Sequence, residues 1–130
     1  MFVSILRQGD FLIASIHDAL DDGELVRFQN DVMREIGEHR SSGVLIDVAA
    51  LDVLDSYASW TLRNLVHMGR LRGAETVIVG INPDVARAVV ELGMDLDMPT
   101  ALDLEAGLEY LEKTTGGRKF GRSSVGRLGG

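Results

Sequence analysis

The sequence predicts an α/β protein with a mixed β-sheet of about four to five strands and about four α-helices. Three observations carry that expectation. Val44–Val48 and Thr76–Ile81 are short, nearly continuous apolar runs, the composition of strands covered on both faces, as parallel strands are. Around them, apolar residues recur at helical spacing, so strand and helix patterns alternate in the order of a layered fold. Near the start, Gly9-Asp10 separates two further apolar runs at hairpin spacing.

Phe2–Leu6 and Phe11–Ile16 read as two strands joined by Arg7-Gln8-Gly9-Asp10. Leu25, Phe28, Val32, Met33 and Ile36 then lie at helical spacing and give an amphipathic helix from about Gly23 to Glu38, stopping near Ser41-Ser42-Gly43. Val44–Val48 is the third strand. The next helix begins at Asp55-Ser56, either of which is able to cap it, and runs to about Arg72, where Gly73 offers a stop. Tyr57, Trp60, Leu65 and Met68 read as one side of this helix and Leu62, Val66 and Gly69 as another. One stripe alone can face a sheet, so the other is covered by neighbouring helices or by a partner.

Thr76–Ile81 is the fourth strand. Asn82 caps a third helix with Pro83 in its first turn, where a missing N–H costs nothing, and Gly93 closes it. Thr100–Leu102 makes a short edge strand, and Asp103–Glu112 a last helix with Leu104, Leu108 and Leu111 on one face. Residues 1–113 thus form one domain. Thr114–Gly130 holds too little apolar content to pack and reads as a flexible Gly/Arg/Ser-rich tail.

The composition, 130 residues of which 45% are hydrophobic, suits one compact core. No stretch approaches the roughly 20 apolar residues that span a bilayer, and Met1-Phe2-Val3-Ser4-Ile5-Leu6 lacks the basic start of a secretory signal. With no cysteine there are no disulfides, no thiolate chemistry and no thiolate ligands for zinc, which suits a cytosolic address. Residues 1–113 carry 9 basic and 20 acidic groups, a net of −11, against +4 in the tail. An acidic body argues against broad nucleic-acid binding and suits a basic protein partner. The tail is either a solvated appendage or a weak electrostatic contact with a neighbouring acidic subunit.

Leu54-Asp55-Ser56-Tyr57 is the candidate site, because it places a hydroxyl where a buried strand hands over to a helix. Unpaired N–H groups and the positive end of the helix dipole favour a phosphate there, while Asp52 and Asp55 oppose it. The simpler reading is a serine cap, worth roughly 0.5–2 kcal/mol of stability. Ser59 and Thr61 are the other hydroxyls of this helix. A receiver domain with a phospho-accepting aspartate needs a lysine late in its sheet, and the lysines here, Lys113 and Lys119, lie beyond the last strand. Enzyme readings fare no better. His17, His39 and His67 are scattered without ligand spacing, and neither a phosphate-binding glycine-lysine loop nor a Gly-x-Ser-x-Gly elbow is present.

From about Phe11 to Leu111 the chain resembles the STAS domain of anti-sigma-factor antagonists, most closely the single-domain stressosome members of the RsbS type. The resemblance rests on Ile16-His17-Asp18-Ala19-Leu20-Asp21-Asp22, Gly43-Val44-Leu45-Ile46-Asp47, Leu54-Asp55-Ser56, Thr76-Val77-Ile78-Val79-Gly80-Ile81-Asn82-Pro83-Asp84-Val85-Ala86, Glu91-Leu92-Gly93 and Thr100-Ala101-Leu102-Asp103-Leu104-Glu105-Ala106-Gly107-Leu108, in order and at near-constant spacing. It implies that Ser56 is phosphorylated by an RsbT-like serine kinase; Ser59, one turn further along the helix but without the family's preceding aspartate, is a secondary candidate. The kinase-binding surface would comprise Asp52, Asp55, Tyr57 and Trp60. The unphosphorylated chain would hold the kinase within a large co-assembly with a longer RsbR-like STAS protein, and a serine phosphatase would reset Ser56. On that model the chain is a substrate and scaffold in the bacterial cytoplasm. It is not an enzyme and takes no cofactor, metal, nucleic acid or membrane insertion. Two related readings are a stand-alone anti-anti-sigma factor that binds an anti-sigma kinase directly, and a STAS accessory subunit of a lipid or small-molecule transport system.

Overall fold

A computed structural model describes residues 2–91 and 98–116. Among these residues the elements run β1 (Val3–Gln8), β2 (Phe11–Ile16), α1 (Asp22–His39), β3 (Gly43–Asp47), α2 (Ser56–Leu71), β4 (Glu75–Val79), α3 (Pro83–Glu91), β5 (Thr100–Ala101) and α4 (Leu104–Thr114). The strands form one sheet in the order β1-β2-β3-β4-β5. β1 and β2 are antiparallel, with Gln8 opposite Phe11, and every later pair is parallel. This is the mixed-sheet α/β fold with four helices that the alternation of patterns predicts.

Element ends differ from expectation where local chemistry decides them. β1 continues to Gln8, shrinking the hairpin turn to Gly9-Asp10. Asp21 caps α1 in a reciprocal box: its side chain accepts from the Glu24 N–H, and Glu24 accepts from the Asp21 N–H. β4 stops at Val79 and not at Ile81, because Gly80 turns to φ 83, and a Cβ there would stand 2.8 Å from the Cβ of Ala49. Asn82 Oδ1 accepts the Asp84 N–H at 2.7 Å and starts α3 as expected. Gly93, the expected end of that helix, and residues 117–130 of the expected flexible tail lie outside the described residues.

Crossovers of one hand place successive helices on one face of the sheet. On that face Leu12, Ala14, Val44, Ile46 and Ile78 meet Phe28, Val32 and Ile36 of α1, Leu62, Leu65 and Val66 of α2, and Val85 and Val89 of α3. α4 covers the other face, where Leu111 packs with Phe11, Leu45, Val77 and Val79. Its approach is close because Gly107 has no side chain: a Cβ would lie 2.6 Å from Val79 Cγ1 and 2.7 Å from Leu45 Cδ1. Since β2, β3 and β4 are parallel, the segments after them emerge at one edge of the sheet, the usual place for a site in an open α/β layer.

Candidate functional site

The segment from β3 to α2 is fixed at both ends before it presents anything to solvent. Val48 N–H donates to the carbonyl of Val79 at 3.0 Å, and Asp47 Oδ1 accepts the Ala49 N–H at 2.9 Å. Leu51 and Leu54 are buried and anchor the loop, while Asp52 and Val53 between them are exposed, Val53 by 72%. Beneath the loop lies a largely apolar cavity of about 110 Å³ bordered by Ile16, Leu20, Leu25, Leu51, Leu54 and Leu62.

Asp55, not Ser56, caps α2. It has the extended backbone of a cap (φ −77, ψ 179), and its Oδ1 accepts the Ala58 N–H at 2.8 Å. Ser56 is therefore the first helical residue. It is exposed, and among the described residues its hydroxyl has no hydrogen-bond partner. α1, α3 and α4 each carry an acidic residue in the first turn, whereas α2 carries none. Apart from the Asp55 cap, no carboxylate of its first turn stands at its positive dipole end to compete with an anion on the Ser56 side chain.

Only Ser56 among the hydroxyls of α2 named above reaches solvent. Ser59 is 3% exposed, with Oγ buried and unpartnered, and Thr61 is buried and donates to the Tyr57 carbonyl at 2.8 Å. The aromatic pair beside Ser56 is organised by stacking: the rings of Tyr57 and Trp60 lie 5.9 Å apart at 29°, and Trp60 is 48% exposed. The side grouped as Tyr57, Trp60, Leu65 and Met68 divides in the structure. Leu65 turns fully into the core and Met68 is half-buried, accepting from Asn64 Nδ2, which also donates to Gln29 Oε1 of α1. Trp60 alone of these four keeps a broad exposed surface.

Asp52, Asp55, Ser56, Tyr57 and Trp60 thus lie along one edge, and the structure adds two residues that sequence reasoning did not single out. Asp18, from the segment after β2, lines a depression together with Asp52 and Val53. Neither the 17–21 nor the 48–55 segment contains a lysine or arginine, so the edge is acidic. Asp18 was recognisable only as a member of the Ile16–Asp22 string. Its approach to Asp52 depends on the parallel pairing of β2 with β3.

The histidines remain apart. His17 Nε2 lies 3.1 Å from Ser4 Oγ, and His67 is exposed on α2. Glu35, Glu38 and His39 bring ligand atoms within 4.8 Å of one another. Arg7 donates to His39 Nδ1 at 3.0 Å and Nε2 faces Glu35 at 3.1 Å, so both ring nitrogens are already engaged. That cluster ties β1 to α1. Among the described residues, no helix is long and apolar enough to cross a membrane.

Comparison with known proteins agrees with this fold. The family model described as STAS domain matches residues 3–107. The chain is 30% identical over 91 residues to the RsbT co-antagonist protein RsbRA of Bacillus subtilis, covering 69% of this chain and 33% of that protein. It therefore spans about a third of that curated relative's length. Among solved structures, a serine-to-glutamate variant of RsbS from Moorella thermoacetica superposes with a TM-score of 0.76 at 33% identity, covering 86% of this chain and 96% of that one. A chain from the molecular architecture of the stressosome, described as a signal integration and transduction hub, gives a TM-score of 0.70 at 29% identity, covering 87% and 99%.

Proposed function

This chain belongs to the STAS domain family, and from that premise we propose that it is a phosphorylation-controlled antagonist and scaffold of a stressosome-type signalling complex. Unmodified, it sequesters an RsbT-like serine kinase; phosphorylation at Ser56 releases that kinase. The observation that carries this reading is the freedom of Ser56. Asp55 does the capping, which leaves an exposed, unpartnered hydroxyl at a helix start with no acid in its first turn.

The kinase-binding surface in this reading is Asp52, Asp55, Tyr57 and Trp60, extended by Val53 and Asp18. Stacked Tyr57 and Trp60, with exposed Val53, offer an apolar contact beside acidic groups, which suits a partner with a basic rim around an apolar centre. A phosphate adds a charge of about −1.5 to −2 at pH 7 to an edge already acidic. A partner that fits a neutral hydroxyl must then desolvate that charge, and the complex weakens. Ser59, the secondary candidate, is buried, so it becomes an acceptor only when α2 opens locally.

RsbRA is named an RsbT co-antagonist, and the RsbS and stressosome structures match nearly their whole chains. These likenesses support an RsbT-like kinase and a longer RsbR-like STAS protein as partners, and the reading adds a serine phosphatase to reset the switch. In this role the chain catalyses nothing and acts in the bacterial cytoplasm. Incubation with ATP and an RsbT-type kinase, followed by peptide mass spectrometry, tests the reading. The expected result is one phosphate on the Ser56 peptide, absent in Ser56→Ala. An unmodified chain, with the same kinase active on a control antagonist, overturns it.

A further inference from the structure

At the opposite edge of the sheet from Ser56, the last turns of α1 and α2 border a groove of about 340 Å³. Gly37 and Arg40 enter it from the end of α1, Ser41 and Ser42 from the link to β3, and Arg72 and Gly73 from the end of α2. At two of these places stability alone would select other residues. Gly37 is helical, where glycine is the least favourable residue after proline, yet a Cβ there would meet nothing within 4 Å, so packing does not require it. Arg40 holds φ 50 and ψ 46, the left-handed conformation that glycine normally fills at a helix end. A missing side chain that keeps a groove open, beside an arginine held in glycine's conformation, is a local conflict of the kind found at binding sites.

Polar chemistry points the same way. Among the described residues Arg34, Arg70 and Arg87 have carboxylate partners, while Arg40 and Arg72 have none. Ser41 borders the groove, is 4% exposed and its Oγ has no hydrogen-bond partner, a buried polar atom whose cost is removed if the side chain turns outward to a ligand oxygen. Glu75, whose neighbourhood shares Ser42 and Gly73 with this groove, is already held by Arg70 and Tyr110.

We propose that this groove binds a phosphate monoester, with its oxygens held by the guanidinium groups of Arg40 and Arg72 and met by the Ser41 hydroxyl once that side chain turns outward. Guanidinium presents paired N–H donors that match phosphate oxygens. The carbonyl ends of α1 and α2 point to this edge and oppose an anion, so the attraction comes from both arginines together. Two sources supply such a group: a free small phosphate ester, or phosphoserine on another copy of this chain. The chain's own Ser56 is too far, since α2, 16 residues and about 24 Å long, separates it from Arg72. The second source rests on the reading of Ser56 given above; the groove does not.

Amide NMR of the full chain titrated with O-phosphoserine, and with inorganic phosphate, tests the site. Saturable shifts are expected at Ser41, Ser42 and Gly73, with affinity lowered about tenfold or more in Arg40→Gly and in Arg72→Gln. Glycine suits the left-handed backbone at position 40, so that variant keeps its fold. Absence of saturable shifts at those amides, or unchanged affinity in both variants, overturns the site. Sedimentation of Ser56-phosphorylated chain mixed with unmodified chain identifies the source. Pairing that Arg40→Gly abolishes assigns phosphoserine of another copy, and phosphoserine binding without pairing assigns a small ester; the site stands in both cases. A chain that the kinase leaves unmodified sinks the Ser56 reading alone and leaves the titration result in force.

Discussion

Asp55 Oδ1 accepts the backbone N–H of Ala58 at 2.8 Å, so the cap of α2 and the candidate phosphate acceptor are adjacent but different residues. Replacing a capping aspartate by alanine costs about 0.5–2 kcal/mol, whereas losing an exposed, unpartnered hydroxyl changes stability by about 0.5 kcal/mol or less. Urea unfolding should therefore show a clear drop for Asp55→Ala and almost none for Ser56→Ala. Equal drops would mean that Ser56 shares the capping role.

Trp60 stacks on Tyr57 and keeps 48% of its surface in solvent, so the fold gains little from the exposed part of its ring. If that ring faces the kinase, Trp60→Ala weakens the complex by about tenfold or more, as loss of an aromatic anchor does. The unfolding midpoint should move far less. Titration calorimetry of variant and parent against an RsbT-type kinase decides the matter, and an unchanged affinity removes Trp60 from the contact.

Gly107→Ala should destabilise the protein by about 1–3 kcal/mol, although alanine is the better helix former, because the new methyl collides with a packed sheet. The collision is with Val79 Cγ1 at 2.6 Å and Leu45 Cδ1 at 2.7 Å. Thermal melting followed by circular dichroism reads the loss. A rise in midpoint would show that α4 shifts outward at no cost.

Tyr110 titrates above its ordinary value, first because burial disfavours the phenolate and then because its hydroxyl donates to Glu75 Oε2 at 2.9 Å. The folded chain keeps a proton that the unfolded chain releases. The corresponding stability is complete below the ordinary phenol value, about pH 10, and is lost as pH rises through the folded value. Urea midpoints should hold up to about pH 10 and fall as pH rises above it, and fall less steeply in Tyr110→Phe. Parallel curves for the two proteins would show that the contact with Glu75 does not survive in solution.

Elements whose signals are local were legible in the sequence. β3 and β4 follow from unbroken apolar runs, and α1 from Leu25, Phe28, Val32, Met33 and Ile36, all of which are buried. The end of β4 was not legible, because the apolar pattern runs on through Ile81 while the backbone turns at Gly80 against Ala49. Choosing between Asp55 and Ser56 as cap depends on the backbone angles of one residue. Placing Leu65 with Trp60 failed for a related reason: a helix turns about 100° per residue, so five positions carry Leu65 well away from Trp60 and into the core. The residues of the candidate site were legible as a group since they are neighbours in the chain. Asp18 was not, because only the pairing of β2 with β3 brings its segment beside Asp52.

The sheet order has a consequence for how the chain acquires its structure during synthesis. Each strand pairs with the one made just before it, so the sheet can grow outward from the β1–β2 hairpin as the ribosome delivers the chain. The face carrying Phe11, Leu45, Val77 and Val79 is the exception, because the helix that covers it is made after all five strands. Until α4 arrives, the nascent protein displays a sticky apolar surface. Its risk of aggregation is concentrated in that interval.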